Sequence, residues 1–473
     1  MNEWKEYKLG DIVTFTSGGT PSKSNEAFWG GNIPWISASS MEGYTYADST
    51  LKITELGLKN GSRIAPKNSI LLLVRGSILH QKLQVGIVER DVAFNQDVKC
   101  LQANEEIIDP WFLLFWFKSE EKNLLNKVES TGIGAGKLDT PILKDLLIKV
   151  PPINERRKLN EFFKAIQGKI ELNRKMNQTL EAMAQAIFKS WFVDFDPVID
   201  NAIQASNEIP EEFQVRAEKR RRVISGDVIA SAAKQSLKPL HHTNPSLASQ
   251  FPASFVFNET LGKWIPEGWK VKSVGDLSKK IFSGGTPSTS KKEYWNGSYN
   301  WFSSGETRNT FITGTEKTIT KEGIKKSSTK LAFPGDILIA SAGQGNTRGQ
   351  TSFNCIETYI NQSVVGIRAK DKTQIWLFFN LKSRYDEMRM ISDSHSIRGS
   401  LTTKLLKGMY VIVPPKIDLL EYFDQLSKNS IEKIVINKLE IETLTQLRDR
   451  LLPELISGRV RVNEEIMNFS TNN

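Results

Sequence analysis

The stretch GIGAGKLDT, Gly132 to Thr140, comes nearest in this chain to a phosphate-binding loop. Such a loop needs a glycine five residues before Gly136 and a Ser or Thr after Lys137. The glycine lets backbone N–H groups reach the phosphates, and the hydroxyl holds Mg²⁺. Thr131 and Leu138 stand there instead. A base-flipping amino-methyltransferase needs Asp or Asn ahead of Pro-Pro-Tyr/Phe to hold the exocyclic amine. Here the Pro-Pro pairs follow Val150 and Val413. His80, His241, His242 and His395 share no ligand spacing with Cys100 and Cys355, so no metal site is expected. Asp109, Glu120 and Lys122 loosely echo a nuclease set, but they fall on one helix-like segment where solvent-facing charge is the ordinary use. No catalytic residue is expected.

The elements that would position chemistry are written twice. FTSGGTPSKSNEAFWGGNIPWIS runs from Phe15 to Ser37, and FSGGTPSTSKKEYWNGSYNWFS from Phe282 to Ser303. One offset of 266 carries Gly18, Gly19, Thr20, Pro21, Trp29 and Trp35 onto Gly284, Gly285, Thr286, Pro287, Trp295 and Trp301. Gly10-Asp11 matches Gly275-Asp276, and AFNQDV from Ala93 matches YINQSV from Tyr359. Each half then shows an aromatic helix-like segment, from Asp109 and from Asp371, and reaches Val-Pro-Pro at Val150 and at Val413. Asp109 with Pro110 is a good N-cap and first-turn pair. Short β-rich runs fill both halves: Ser69 to Val74, Val85 to Val88, Asp336 to Ala340 and Ser363 to Ile367.

After each Val-Pro-Pro the period becomes that of a long helix. Leu159, Phe163, Ile166, Ile170, Asn173, Asn177, Leu180, Ala184, Ile187 and Trp191 form a seam stepping by three and four. The second copy gives Leu419, Phe423, Leu426, Ser430, Ile434, Asn437, Ile441, Leu444, Arg448, Leu451 and Leu455, with a stutter after Ser430. Paired antiparallel, these helices would set Asn173 against Asn437 and fix register. Two independent amphipathic helices are the other reading; lengths well above the globular average favour the pair.

The expected fold is therefore α/β: two β-rich mixed domains separated by two long antiparallel coiled-coil helices, with pseudo-two-fold symmetry. The boundaries expected are 1–150, a helix over 151–196, a linker with an insertion over 197–263, a second domain over 264–413, and 414–473 for the second helix and tail. The unmatched stretch holds a basic cluster (Arg216, Lys219, Arg220, Arg221 and Arg222) and Ser/Ala/Pro-rich text around Ala230 to Pro252. A DNA contact and a solvated face both fit that cluster, the second being the commoner use.

Composition adds a direction. The chain has 473 residues, 39% hydrophobic, a formal charge of +10 and pI near 9.2, which favours a polyanionic partner. Two cysteines fit a reducing compartment. The polar start MNEWKEYKLGD lacks a signal peptide's apolar stretch, and no apolar run has membrane-spanning length. A cytoplasmic protein with no membrane association is expected.

The order of these parts resembles the specificity subunits of Type I restriction–modification enzymes. MAQAIFKSWFVDFDPV (Met183 to Val198) resembles the phrase closing that family's central helical region. FPASFVFNETLGKWIPEGWK (Phe251 to Lys270) resembles its entry into the second target-recognition domain, and LRDRLLPELISGRV (Leu447 to Val460) its C-terminal helix ending. The departure is Glu218 to Asn244, unlike the usual linker. The resemblance implies a DNA-binding subunit of double-stranded, bipartite targets that docks two methyltransferase subunits and restriction subunits. It carries no cofactor itself; S-adenosylmethionine, ATP and Mg²⁺ belong to those partners. The alternatives are a stand-alone methyltransferase or nuclease with fused recognition domains, and a coiled-coil protein scaffold.

Residues common to both halves cannot distinguish two half-sites. The GGTP loops therefore read either as phosphate cradles, with Ser17, Thr20, Ser283 and Thr286 as donors, or as structural turns. The four tryptophans are expected in the core rather than stacked on bases. Asn95-Gln96 and Asn361-Gln362 fit adenine readout or a structural amide role equally. Base readers are expected where the halves differ: Arg75, Lys82, Gln84 and Lys137 in the first, and Gln344, Asn346, Arg348 and Arg398 in the second.

Overall fold

The computed structural model describes residues 3–131, 134–225, 239–343, 345–370, 372–395 and 400–461, and leaves the side chains of His241 and His395 undescribed. The chain divides into two compact units, Met1–Leu172 with Glu440–Asn473, and Asn173–Leu439. Both contain the same two main sheets, with the same strand orders.

In the first unit a five-stranded sheet runs Val13–Ser17, Val98–Ala103, Ile70–Leu73, Val85–Val88, Thr45–Tyr46. A four-stranded sheet runs Lys52–Ile53, Trp29–Ile36, Val92–Phe94, Arg63–Ala65. The second unit repeats both orders, with Ser278–Ser283, Val364–Ala369, Ile337–Ala340, Thr351–Asn354, Phe311–Ile312 and with Lys317–Ile319, Trp295–Phe302, Thr358–Ile360, Lys330–Ala332. Even the parallel pairing repeats: Ala93 lies opposite Trp35, and Tyr359 opposite Trp301. The Ile70–Leu73 and Ile337–Ala340 strands are buried on both faces, which is why they read as unbroken apolar runs rather than alternating ones.

An aromatic helix closes each five-stranded sheet. Pro110–Ser119 starts from Asp109, whose carboxylate accepts from Trp111 N and Phe112 N, the cap that Asp-Pro announces. That capping is how Asp109 is used, and Asn160 of the long helix also donates to it at 2.8 Å. In the second unit the helix is Gln374–Lys382, and a second helix, Tyr385–His395, follows a break. The first N–H groups of Gln374–Lys382, those of Ile375 and Trp376, are capped from elsewhere in the chain, by Asp424.

The long helices run Ile153–Phe192 and Asp418–Ile456, 40 and 39 residues. Within each unit a stretch of one lies antiparallel to a stretch of the other. In the first unit Lys169 meets Glu440 at 3.3 Å and Gln167 Oε1 accepts from Arg448 at 2.7 Å. In the second, Asn177 faces Asn437, and Phe188 lies 5.7 Å from Phe423. The expected Asn173–Asn437 register is corrected here: Asn437 donates to Asn177, one turn further on, while Asn173 is also buried. The second seam also shifts. Ser427 is 2% exposed and Leu426 42%, so the serine and not the leucine faces inward at this turn.

A repeated lysine ties each aromatic helix to its surroundings. Lys118 lies 4.9 Å over the Tyr44 ring, whose face also receives Arg448 at 4.7 Å, and burial pushes the Lys118 ammonium down to about 8. At the same place in the repeat, Lys382 bonds to Thr310 Oγ1 at 3.0 Å and to Glu181 at 3.1 Å.

The unmatched stretch is more ordered than a linker. Helices Asp196–Gln204 and Glu211–Ile224 pack around Ile199, Ala202, Ile209 and Ala217. Of the basic cluster, Arg220 is buried and forks onto Asp200, and Arg216 forks onto Asp196 at 2.7 Å. Neither is a solvated charge; Lys219, Arg221 and Arg222 are exposed. Residues 226–238 lie outside the described part.

Candidate nucleic-acid interface

The framework of each unit meets at one backbone carbonyl. Gly19 N donates to Phe94 O at 2.9 Å, and Gly285 N to Ile360 O at 3.0 Å. A Cβ on Gly18 would stand 2.3 Å from Phe94 O, and one on Gly284 only 1.8 Å from Ile360 O. Glycine is required because the loop lies on the chain's own backbone. Thr20 Oγ1 donates to Gln96 Oε1 and Thr286 Oγ1 to Gln362 Oε1, so Gly-Gly-Thr-Pro and Asn-Gln form one joint in each unit. Trp35 and Trp301 are buried and donate to the Gly19 and Gly285 carbonyls at 3.1 and 3.3 Å. Trp29 and Trp295 pack edge-on against them, with centroids 5.3 and 4.9 Å apart. Ser17 Oγ receives Lys99, whose pKa burial lowers with help from Lys144, whereas Ser283 is exposed without a side-chain partner among the described residues. Asn95 and Asn361 are buried.

Two adjacent loops leave this framework in each unit. In the first, Arg75–Gly76 pairs with Gly136–Lys137, which pairs in turn with Glu129–Ser130. Arg75 and Lys137 are direct cross-strand neighbours. In the second, Leu401 N donates to Ser341 O at 2.9 Å, as Leu138 N donates to Val74 O at 2.9 Å. Gly76 and Gly343 take φ of +153° and +143°, so each loop leaves its strand through a backbone turn closed to other residues.

The expected base readers divide. Arg75 and Lys82 are exposed, with no side-chain partner among the described residues. Lys137 pairs with Asp139 at 2.6 Å. Asn346 is exposed, and its carbonyl accepts from Tyr385 OH at 2.8 Å. Arg348 pairs with Asp393, and its side chain is only 11% exposed. Gln344 and Arg398 lie outside the described residues. Gln84 points inward, donating to Met41 O at 3.2 Å. Its repeat mate is Gln350, which accepts from Thr307 at 3.3 Å, and 307 is 41 plus 266. Gln84 thus belongs to the shared framework. Sequence reading missed this because only YINQSV-like stretches, not isolated residues, announce themselves as repeats.

It also missed Tyr385 and Arg389. Both hold the 345–349 loop, Arg389 by donating to Gly345 O at 2.7 Å, from about forty residues away in sequence. No local signal marks such a pairing. Among the described residues no group of His, Cys, Asp and Glu is placed to hold a metal ion.

The class so defined is a duplicated scaffold that keeps its framework and changes its loops. The model of the family described as Type I restriction modification DNA specificity domain matches residues 1–182 and 266–441, and the chain belongs to that family. The Type I restriction enzyme MjaIX specificity subunit of Methanocaldococcus jannaschii is 25% identical over 472 residues, 98% of this chain and 94% of its own. The HindI specificity subunit of Haemophilus influenzae is 25% identical over 484 residues, 97% of this chain and all of its own. A crystal structure of the S subunit of a Type-I restriction-modification system from M. genitalium covers 95% of both chains at 14% identity, with a TM-score of 0.49. No described helix is long and apolar enough to cross a membrane.

Proposed function

We propose that this chain is the DNA-recognition subunit of a Type I restriction–modification complex. Each unit reads one part of a bipartite double-stranded target, and the chain itself performs no chemistry. Methyltransferase subunits, two per complex, and restriction subunits dock on it in the cytoplasm. S-adenosylmethionine, ATP and Mg²⁺ bind to those partners. The observation that carries this reading is the contrast within the repeat: bond-for-bond identity at Phe94 and Ile360, and different cations on the loops at 75–82 and 342–348. Exposed Arg75, Lys82 and Asn346, of the side-chain types that read base edges, are the residues best placed for it.

Mapping modified adenines in a host carrying the chain and its methyltransferase partner tests the reading. A two-part motif is expected, and Arg75→Ala should relax one part while leaving the other intact. Modification without a two-part motif would overturn it. A purified chain that transfers labelled methyl groups alone would point to a self-contained enzyme. A chain that binds no duplex at any salt would point to a protein scaffold.

A further inference from the structure

The turn beneath each Gly-Gly pair carries cations that the repeat retains. Ser62 Oγ donates to Phe94 O at 3.2 Å, beside Gly19 N; Thr329 Oγ1 donates to Ile360 O at 2.9 Å, beside Gly285 N. A Cβ on Gly19 would meet Gly61 O at 2.2 Å, and one on Gly285 would meet Ser328 Oγ at 2.1 Å. The turn is therefore locked against the framework. Lys59 ends the helix Glu55–Lys59 and Arg63 opens the strand Arg63–Ala65; Lys325 and Lys330 hold the same places in Lys321–Lys325 and Lys330–Ala332.

All four side chains are exposed, and none has an ion pair or side-chain hydrogen bond among the described residues. Their surroundings do not keep their charge: Glu55 becomes Lys321 and Asn60 becomes Lys326. Beside them Gln96 and Gln362 accept the threonine hydroxyls through Oε1, which leaves their exposed amide nitrogens as donors. Unneutralised cations and amide donors on a rigid turn suit an anion. Arg63 answering to Lys330 keeps the charge but not the guanidinium fork, and a point charge is enough to hold a phosphate.

We propose that these residues form, in each unit, a seat for the phosphodiester backbone of duplex DNA. Lys59, Arg63 and Gln96 build the first seat, and Lys325, Lys330 and Gln362 the second. They supply the sequence-independent part of binding, separate from the loops that differ. The inference rests on the DNA-recognition reading above. Shared residues cannot tell two half-sites apart, whereas every half-site presents the same phosphates.

The test uses the full chain and a random-sequence duplex of about 30 base pairs, following log K against log salt. Each phosphate neutralised adds about 0.9 to the slope, so replacing all four cations by alanine should lower it by roughly 2 to 4. Lys59→Ala with Arg63→Ala should lower it by roughly 1 to 2. Arg63→Lys should keep the original slope, and the modified-adenine motif should stay unchanged throughout. Lys5→Ala with Lys270→Ala removes two repeated, exposed cations elsewhere and should leave the slope nearly intact. An unchanged slope in the four-alanine variant overturns the seat, and so does an equal drop in the Lys5/Lys270 variant. A changed motif also overturns it, because the residues would then read bases. If the unsubstituted chain binds no duplex, the DNA-recognition reading fails first, and the seat falls with it.

Discussion

Asn437 donates to Asn177 Oδ1 at 2.8 Å across the paired helices of the second unit, while its own Oδ1 is buried without a partner among the described residues. A polar pair in an apolar seam costs stability and penalises other registers, because any slip strands two amides. Asn177→Leu should destabilise the unit by about 1–3 kcal/mol, the cost of an orphaned buried amide. Asn177→Leu with Asn437→Leu should recover most of that loss. Urea unfolding midpoints report both, and equal losses in the single and double variants would remove the pair from the account.

Asp424 gives a pH dependence. Burial pushes its carboxyl up to about 6, against the pull of the Ile375 and Trp376 N–H groups that it caps. The unfolded carboxyl titrates near 4, so between roughly pH 4 and 6 the native state holds the extra proton. Stability from this group is therefore greatest at low pH and falls as pH rises through that window, by up to about 2–3 kcal/mol. Asp424→Asn keeps an oxygen acceptor and cannot ionise. Its melting temperature relative to the parent should rise between pH 4.5 and 7.5, and a constant difference would refute the assignment.

Gly284 is the tightest point of the second framework. Gly284→Ala drives a Cβ into Ile360 O and should cost about 2–4 kcal/mol, since backbone must move on both sides. Gly314, with open space around its Cβ position and no left-handed φ, is the control; Gly314→Ala should change little. Thermal melts showing equal effects would separate the GGTP loop from stability.

Arg220 and Asp200 form a buried fork in the stretch without a repeat mate. Arg220→Ala leaves a buried carboxylate uncompensated and should cost about 3–5 kcal/mol in that segment. Arg220→Met with Asp200→Leu should cost far less. Limited proteolysis within the helices Asp196–Gln204 and Glu211–Ile224 measures it, and equal cleavage in both variants would count against the fork.

The aromatic helices show how far the sequence carries. Asp109 before Pro110 announces its cap locally, and the structure has it. The matching helix is capped by Asp424, which stands 264 residues after Asn160, the side chain that supports Asp109 from the first long helix. The same N–H groups are satisfied by a carboxylate in both units, but only one of the two is a neighbour in sequence.

The amino-acid sequence by itself determined the duplication, the β-rich runs, the two long helices and the family. Periodicity and repetition are one-dimensional, and a side chain's place in a repeat needs no partner to be seen. Tertiary structure alone decided which charges are spent. It turned Arg220 and Arg348 onto Asp200 and Asp393, pointed Gln84 at Met41, moved the helix register to Asn177, and left Lys59, Arg63, Lys325 and Lys330 bare. Neutralisation depends on groups brought near from distant parts of the chain, and the fold, not the spacing, selects them.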